Sequence, residues 1–254
     1  MKKIYIFVCT IYCKFFTYIE NIFLFKAIKK KDQSNLSQKG FEVIKLNYNL
    51  LLKSFENTIK INNYMTKDII KFSDISLLID SIFMDLKLKN IITSKTGFEY
   101  SIDYLISYTT YKIPESDEKK EIYANHWHND KPFSQNTLKL IIPLNFTNNY
   151  NGGIQILDIK QTKNFKNKNL NFIDKEHFIM DGKPDYVLLF LPNQCFHKAG
   201  NPENLNGRKQ LMFQLNPSNK WSVNKNLYKK QFSREPKFPF FSYLLDKKKL
   251  LEEK

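Results

Sequence analysis

At about Tyr100 the spacing of apolar residues changes, and that change limits what this chain can fold into. Before it, apolar residues recur every three or four positions in Phe41–Ile61 and again in Ile69–Leu88, the period of a helix face. Thr66 or Ser73 is placed to cap a helix start, and Thr93–Gly97 breaks the pattern. After it come short apolar runs, Ile102–Ser107, Leu138–Leu144, Ile154–Leu157, Tyr186–Leu191 and Leu211–Leu215, separated by Asn, Gly, Pro and charged clusters. Such runs read as strands and turns. Five of the seven glycines follow residue 150; Asn151-Gly152-Gly153 reads as one turn and Gly182–Asp185 as another. The expected division is a helical elaboration over 1–98, a β core over 99–217 and a tail over 218–254.

Composition narrows the class. With 42% apolar and 26% charged residues in 254, the chain can bury a core and is globular. Its formal charge is +15, but the lysines are spread through every segment, which argues against a nucleic-acid interface. Of 40 basic residues only Arg208 and Arg234 are arginine. In so lysine-rich a chain, an arginine points to a place where a planar fork of donors is needed. Cys9, Cys13 and Cys195 make no disulfide framework, so a reducing, cytoplasmic setting is expected. Met1-Lys2-Lys3 and the apolar run Ile4–Cys13 have the look of a signal segment, yet no small-residue cleavage site follows, and Lys14 and Glu20 interrupt the run. Residues 15–30 are instead expected to form an amphipathic helix that packs on the domain or touches a membrane surface.

Three of the four histidines fall in two motifs, Asn125-His126-Trp127-His128-Asn129-Asp130 and His197-Lys198-Ala199-Gly200. His128 and Asp130 stand two apart, so on an extended segment both side chains leave one face. His197 lies beyond the apolar strand Tyr186–Leu191 and Pro192-Asn193-Gln194. Two imidazoles and a carboxylate can occupy one face of a ferrous ion and leave three positions for an oxidant and a co-substrate. Eleven residues after His197, Arg208 opens a strand whose alternation sends Arg208, Gln210, Met212 and Gln214 to one side and Lys209, Leu211, Phe213 and Leu215 to the other. Its guanidinium matches a carboxylate in bidentate fashion. A metal triad with a carboxylate clamp suits an iron- and 2-oxoglutarate-dependent oxygenase. The expected fold is mainly β with flanking helices, a double-stranded β-helix (a cupin-like jelly roll) with a helical N-terminal elaboration.

The stretch Tyr123-Ala124-Asn125-His126-Trp127-His128-Asn129-Asp130-Lys131-Pro132 resembles the metal-binding strand of the phytanoyl-CoA dioxygenase superfamily. Val187-Leu188-Leu189-Phe190 through His197-Lys198-Ala199-Gly200-Asn201-Pro202 to Arg208 is similar to its second motif, and Asn151-Gly152-Gly153-Ile154-Gln155-Ile156 to the turn and strand between. The likeness spans residues 120–217, about two fifths of the chain. It implies Fe(II) on the catalytic triad His128, Asp130 and His197. It also implies 2-oxoglutarate chelated to the metal with its far carboxylate on Arg208, and O2 as oxidant. A small or carrier-linked substrate would be hydroxylated as succinate and CO2 leave; retention of Asp130 implies hydroxylation over halogenation. Many relatives carry a hydroxyl residue two after the arginine, where this chain has Gln210, whose amide can donate instead. His126 and Trp127 are candidates for contact with substrate or for support of the ligands, as is Cys195. Lys139 and Tyr108 are candidates to line the co-substrate pocket.

Three rivals compete with this reading. A non-oxygenase cupin using His126 and His128 expects a glutamate three to five residues on, and Asn129–Phe133 has none. A nucleic-acid demethylase of the same fold expects a second arginine six after the first, where Gln214 stands. A jelly-roll binding protein with a dead site would not need the triad and the arginine together.

Overall fold

The computed structural model describes residues 2–25, 35–46, 55–85, 88–130, 134–168, 176–224 and 227. The strands are β1 (Phe41–Lys45), β2 (Phe55–Asn62), β3 (Met65–Ile70), β4 (Glu99–Thr110), β5 (Leu138–Pro143), β6 (Gln155–Ile156), β7 (Phe178–Ile179), β8 (Tyr186–Phe190), β9 (His197–Lys198), β10 (Arg208–Ser218) and β11 (Ser222–Val223). The larger sheet runs β1-β8-β5-β10-β4-β3-β2, with β11 in parallel on β4; the smaller runs β7-β6-β9. A bridge between His128 and His197 adds the segment around His128 to the small sheet, beyond β9. This mainly antiparallel arrangement is the jelly roll that the strand pattern predicts.

The centre of the large sheet is β10, paired with β4 on one side and β5 on the other. Its alternation divides the interior in two. Leu211, Phe213 and Leu215 join Leu140, Ile142 and Leu189 in a core closed by helices α3 (Phe72–Ile79) and α4 (Leu88–Thr96), numbered after α1 (Lys2–Phe23) and α2 (Asn35–Lys39). Met212 turns the other way with Ile141, Leu188 and Phe190, toward Ile154, Ile156 and Met180 of the small-sheet region. With both faces covered, β5 is buried throughout, which explains an apolar run broken only by Lys139.

The N-terminal region departs from its predicted helical period. Phe41–Lys45 and Phe55–Asn62 are strands: β1 pairs with β8, bringing Phe41 opposite Phe190, and β2 forms a hairpin with β3. The three- and four-residue spacing over Phe41–Ile61 spans two separate strands, which imitate a helix face when read as one segment; residues 47–54 lie outside the described residues. Neither proposed cap acts: Thr66 lies in β3, and α3 starts after Lys71 with no side-chain cap. The helix broken at Thr93 in the expectation runs on to Thr96, and Gly97 ends it at φ +77°.

The expected amphipathic helix over 15–30 starts earlier, at Lys2, and ends at Phe23. It packs on the domain through Thr17 and Glu20. The Gln135 amide donates to Thr17 Oγ1 at 2.9 Å, while Ser134 Oγ and Asn136 Nδ2 donate to the Glu20 carboxylate. Among the described residues no helix is long and apolar enough to cross a membrane. Cys13 and Cys195 are buried free thiols. Arg234 and the aromatic stretch Phe238–Tyr243 of the tail lie outside the described residues.

Candidate metal and co-substrate site

Two backbone segments meet here. The His128 amide donates to the His197 carbonyl at 3.1 Å, and the His197 amide donates to the His128 carbonyl at 3.0 Å. Such a pair sends both imidazoles to the same face. The Asp130 amide donates to Pro192 O at 3.1 Å, which holds the segment beside the loop that follows β8. The ligand atoms therefore converge. Asp130 Oδ1 is 3.7 Å from His128 Nε2 and 3.6 Å from His197 Nε2, and the three donors lie within 4.8 Å of one another.

The remaining ring nitrogens set the tautomers. His128 Nδ1 is 2.8 Å from His126 O, and His197 Nδ1 is 3.1 Å from Cys195 O. A carbonyl can only accept, so each Nδ1 carries the proton and each Nε2 lone pair faces the common point. The edge of the Phe190 ring abuts His197 at 4.9 Å between centroids. Burial pushes the His197 pKa down, against the pull of Asp130, and keeps the ring neutral, as a metal ligand must be. At Asp130 burial opposes ionisation, but Lys139 and His197 outweigh it and hold the carboxyl well below the usual range. Lys139, from β5, forms an ion pair with Asp130 Oδ2. Two neutral nitrogens and one anionic oxygen with open surroundings fit a ferrous ion.

A second group of polar residues lies on the same inward face. Arg208 is 1% exposed; Nη1 donates to Gly152 O at 2.7 Å, and Nε has no partner among the described residues. Directly across the ladder stands Thr110, fully buried, with Oγ1 likewise unpartnered among them. Two register steps on, the Gln210 amide donates to the Tyr108 hydroxyl. Tyr123 is close enough to feel the Arg208 charge. Burial pushes its hydroxyl up to about 12, against Arg208, and raises Tyr108 for the same reason. A buried guanidinium with unspent donors beside an unsatisfied hydroxyl fits a planar carboxylate.

The fold gathers His128, Asp130, His197 and Lys139 into one cluster and Arg208, Gln210 and Tyr108 into its neighbour. Lys139, a candidate to line the co-substrate pocket, pairs with Asp130. His126 contributes its carbonyl; its exposed ring turns to Glu118 O at 2.9 Å. Trp127 meets the His177 ring edge-on at 5.5 Å and the Lys198 ammonium at 5.3 Å. Cys195 also serves through its carbonyl, its buried sulfur lying 3.5 Å from Lys39 O. Sequence reasoning missed Thr110 and the Gly152 carbonyl, because both depend on which strands become neighbours. Tyr123 was within reach, since it lies in the first motif.

Comparison of the sequence with protein families and with curated proteins finds no match. Among solved structures, the chain is similar to the non-heme alpha-ketoglutarate-dependent epimerase SnoN of nogalamycin biosynthesis. The TM-score is 0.51 at 10% identity, over 72% of this chain and 80% of that one. EctD from S. alaskensis with bound Fe aligns at 0.48 and 14% identity over 80% and 83% of the two chains. HygX from Streptomyces hygroscopicus, with nickel, 2-oxoglutarate and hygromycin B bound, aligns at 0.46 and 12% over 72% and 85%. At such identities the likeness concerns the fold: the chain shares the jelly-roll architecture of SnoN.

Proposed function

We propose that this chain is an iron(II)- and 2-oxoglutarate-dependent oxygenase that hydroxylates a small or carrier-linked organic substrate. The observation that carries the reading is the convergence of His128 Nε2, His197 Nε2 and an Asp130 oxygen within 4.8 Å. In this reading the three side chains hold the metal, and when bound it supplies the site at which O2 and 2-oxoglutarate react and a C–H bond of the substrate is oxidised. Arg208 and Thr110 hold the far carboxylate of 2-oxoglutarate, with Gly152 O bracing the guanidinium. Lys139 keeps one oxygen of Asp130 occupied, so that the carboxylate offers the metal its other oxygen. Phe190 supplies apolar surface against the His197 ring. The motif order favours a member of the phytanoyl-CoA-dioxygenase-like group, and an occupied Asp130 position favours hydroxylation over halogenation.

The test is turnover of 2-oxoglutarate to succinate in air by protein reconstituted with Fe(II). Slow release is expected without prime substrate and faster release with one, and none from Asp130→Ala. Equal succinate from wild type and Asp130→Ala would sink the assignment.

A further inference from the structure

One face of α1 is left uncovered by the domain it packs on. Cys13, Thr17 and Glu20 are buried against the body of the protein, while Val8, Ile11, Phe15, Tyr18 and Ile22 are exposed, with Phe23 beside them. Their spacing of three, four, three and four residues draws one continuous stripe along the helix. Phe15 is 56%, Tyr18 66% and Phe23 76% exposed. Aromatic side chains offer roughly 150–250 Å² apiece, so the stripe reaches the size at which an apolar patch marks an interaction surface.

The charge beside the stripe decides what covers it. Lys14 is exposed next to Phe15. Glu20, the acid in this helix, is 2% exposed and engaged by Ser134 and Asn136. Among the described side chains of α1 the exposed face thus offers apolar groups and the Lys14 cation without an anion, on a chain of net charge +15. A second copy of the chain would bring the same cation to the seam with no acid of the exposed helix face to answer it, whereas coiled-coil partners place opposite charges beside the apolar stripe. An anionic lipid surface answers both features: acyl chains take the apolar stripe, aromatic rings sit at headgroup level, and lysine meets negative headgroups. We infer that α1 lies in the plane of an anionic membrane surface and docks the protein there. Its anchor on the domain is the turn Ser134–Asn136.

The test is sedimentation of the full chain with vesicles of phosphatidylcholine containing 30% phosphatidylserine, and with vesicles of phosphatidylcholine alone. Binding to the anionic vesicles is expected and should weaken as salt rises, because surface charges are screened beyond about 8 Å at physiological ionic strength. Exchange of Phe15, Tyr18 and Phe23 to Ser should weaken it at least about tenfold. Lys14→Glu, which leaves the stripe intact, should weaken binding to the anionic vesicles about fivefold and leave the neutral ones unaffected. The proposal is overturned if the wild type stays in the supernatant. It is also overturned if binding survives the triple exchange, or if the wild type is a dimer that the exchange splits and that ignores vesicles.

Discussion

Replacing Arg208 with Met separates a ligand-binding arginine from a structural one, because the two roles predict opposite changes in the metal-free protein. A structural arginine is paired. Arg208 is 1% exposed, makes one hydrogen bond to Gly152 O, and forms no ion pair among the described residues; burial pushes its pKa down. On the scale of buried ion pairs replaced by apolar residues of similar volume, removing a buried charge is neutral or stabilises by up to about 4 kcal/mol. The lost bond to Gly152 O returns roughly 1 kcal/mol of that. At about 2–4 °C per kcal/mol for a chain of this size, Tm of the apo variant should be unchanged or rise by up to about 10 °C. With metal and 2-oxoglutarate the order reverses. At a ligand concentration 100 times Kd the wild type gains about 2.7 kcal/mol. The variant loses a buried charge pair worth about 2–5 kcal/mol, so its affinity for 2-oxoglutarate should fall roughly 30- to 5,000-fold and the stabilisation by ligand should shrink to less than about 1 kcal/mol. Scanning calorimetry under nitrogen, with and without 2-oxoglutarate, measures both. A fall in apo Tm of more than about 5 °C, well over 1 kcal/mol on this scale, would refute the reasoning. So would a ligand-induced shift in the variant as large as that of the wild type.

Other outcomes follow from the same geometry. Thr110→Val keeps shape and removes a buried unpartnered hydroxyl; 2-oxoglutarate should bind about ten- to a hundredfold more weakly, the worth of a hydrogen bond to a charged group, while apo stability holds. Gly200→Ala would set a Cβ 2.5 Å from Gly153 O and 2.8 Å from the Gly152 carbonyl carbon. The turn that braces Arg208 must then move, costing about 1–3 kcal/mol in thermal unfolding and raising the 2-oxoglutarate requirement in a binding titration. For pH, the His197 pKa is lowered by burial, so below the ordinary value of 6.5 the unfolded chain binds the proton first. Apo stability should therefore be full above that pH and decline as pH falls beneath it, and His197→Phe should flatten the decline in urea titrations at pH 7 and 5.

Legibility of the fold followed contact range. The alternation along β10 could be read because eleven residues show their own period, and both faces of β10 meet the environments it predicts. β5 and β8 could be read as nearly unbroken apolar runs. β1 could not, since its five residues include Glu42 and Lys45 and it exists by pairing with β8, far along the chain. His128 and Asp130 were legible for the opposite reason: a two-residue spacing carries its geometry with it. Thr110 gains meaning only when β4 and β10 pair in register and set it against Arg208. Lys139 left a trace, as a lone cation in an otherwise apolar strand needs a partner, but the sequence did not say that the partner is Asp130.

The central claim is that His128, Asp130 and His197 hold iron beside a 2-oxoglutarate clamped by Arg208. The most direct measurement is an anaerobic titration with Fe(II) and 2-oxoglutarate that follows the weak visible charge-transfer band of the chelated co-substrate. The account predicts a band in the wild type, none in His197→Ala, and in Arg208→Met a band only at far higher 2-oxoglutarate. No band in a wild-type protein that still binds the metal, or a band that survives loss of His197, would contradict it.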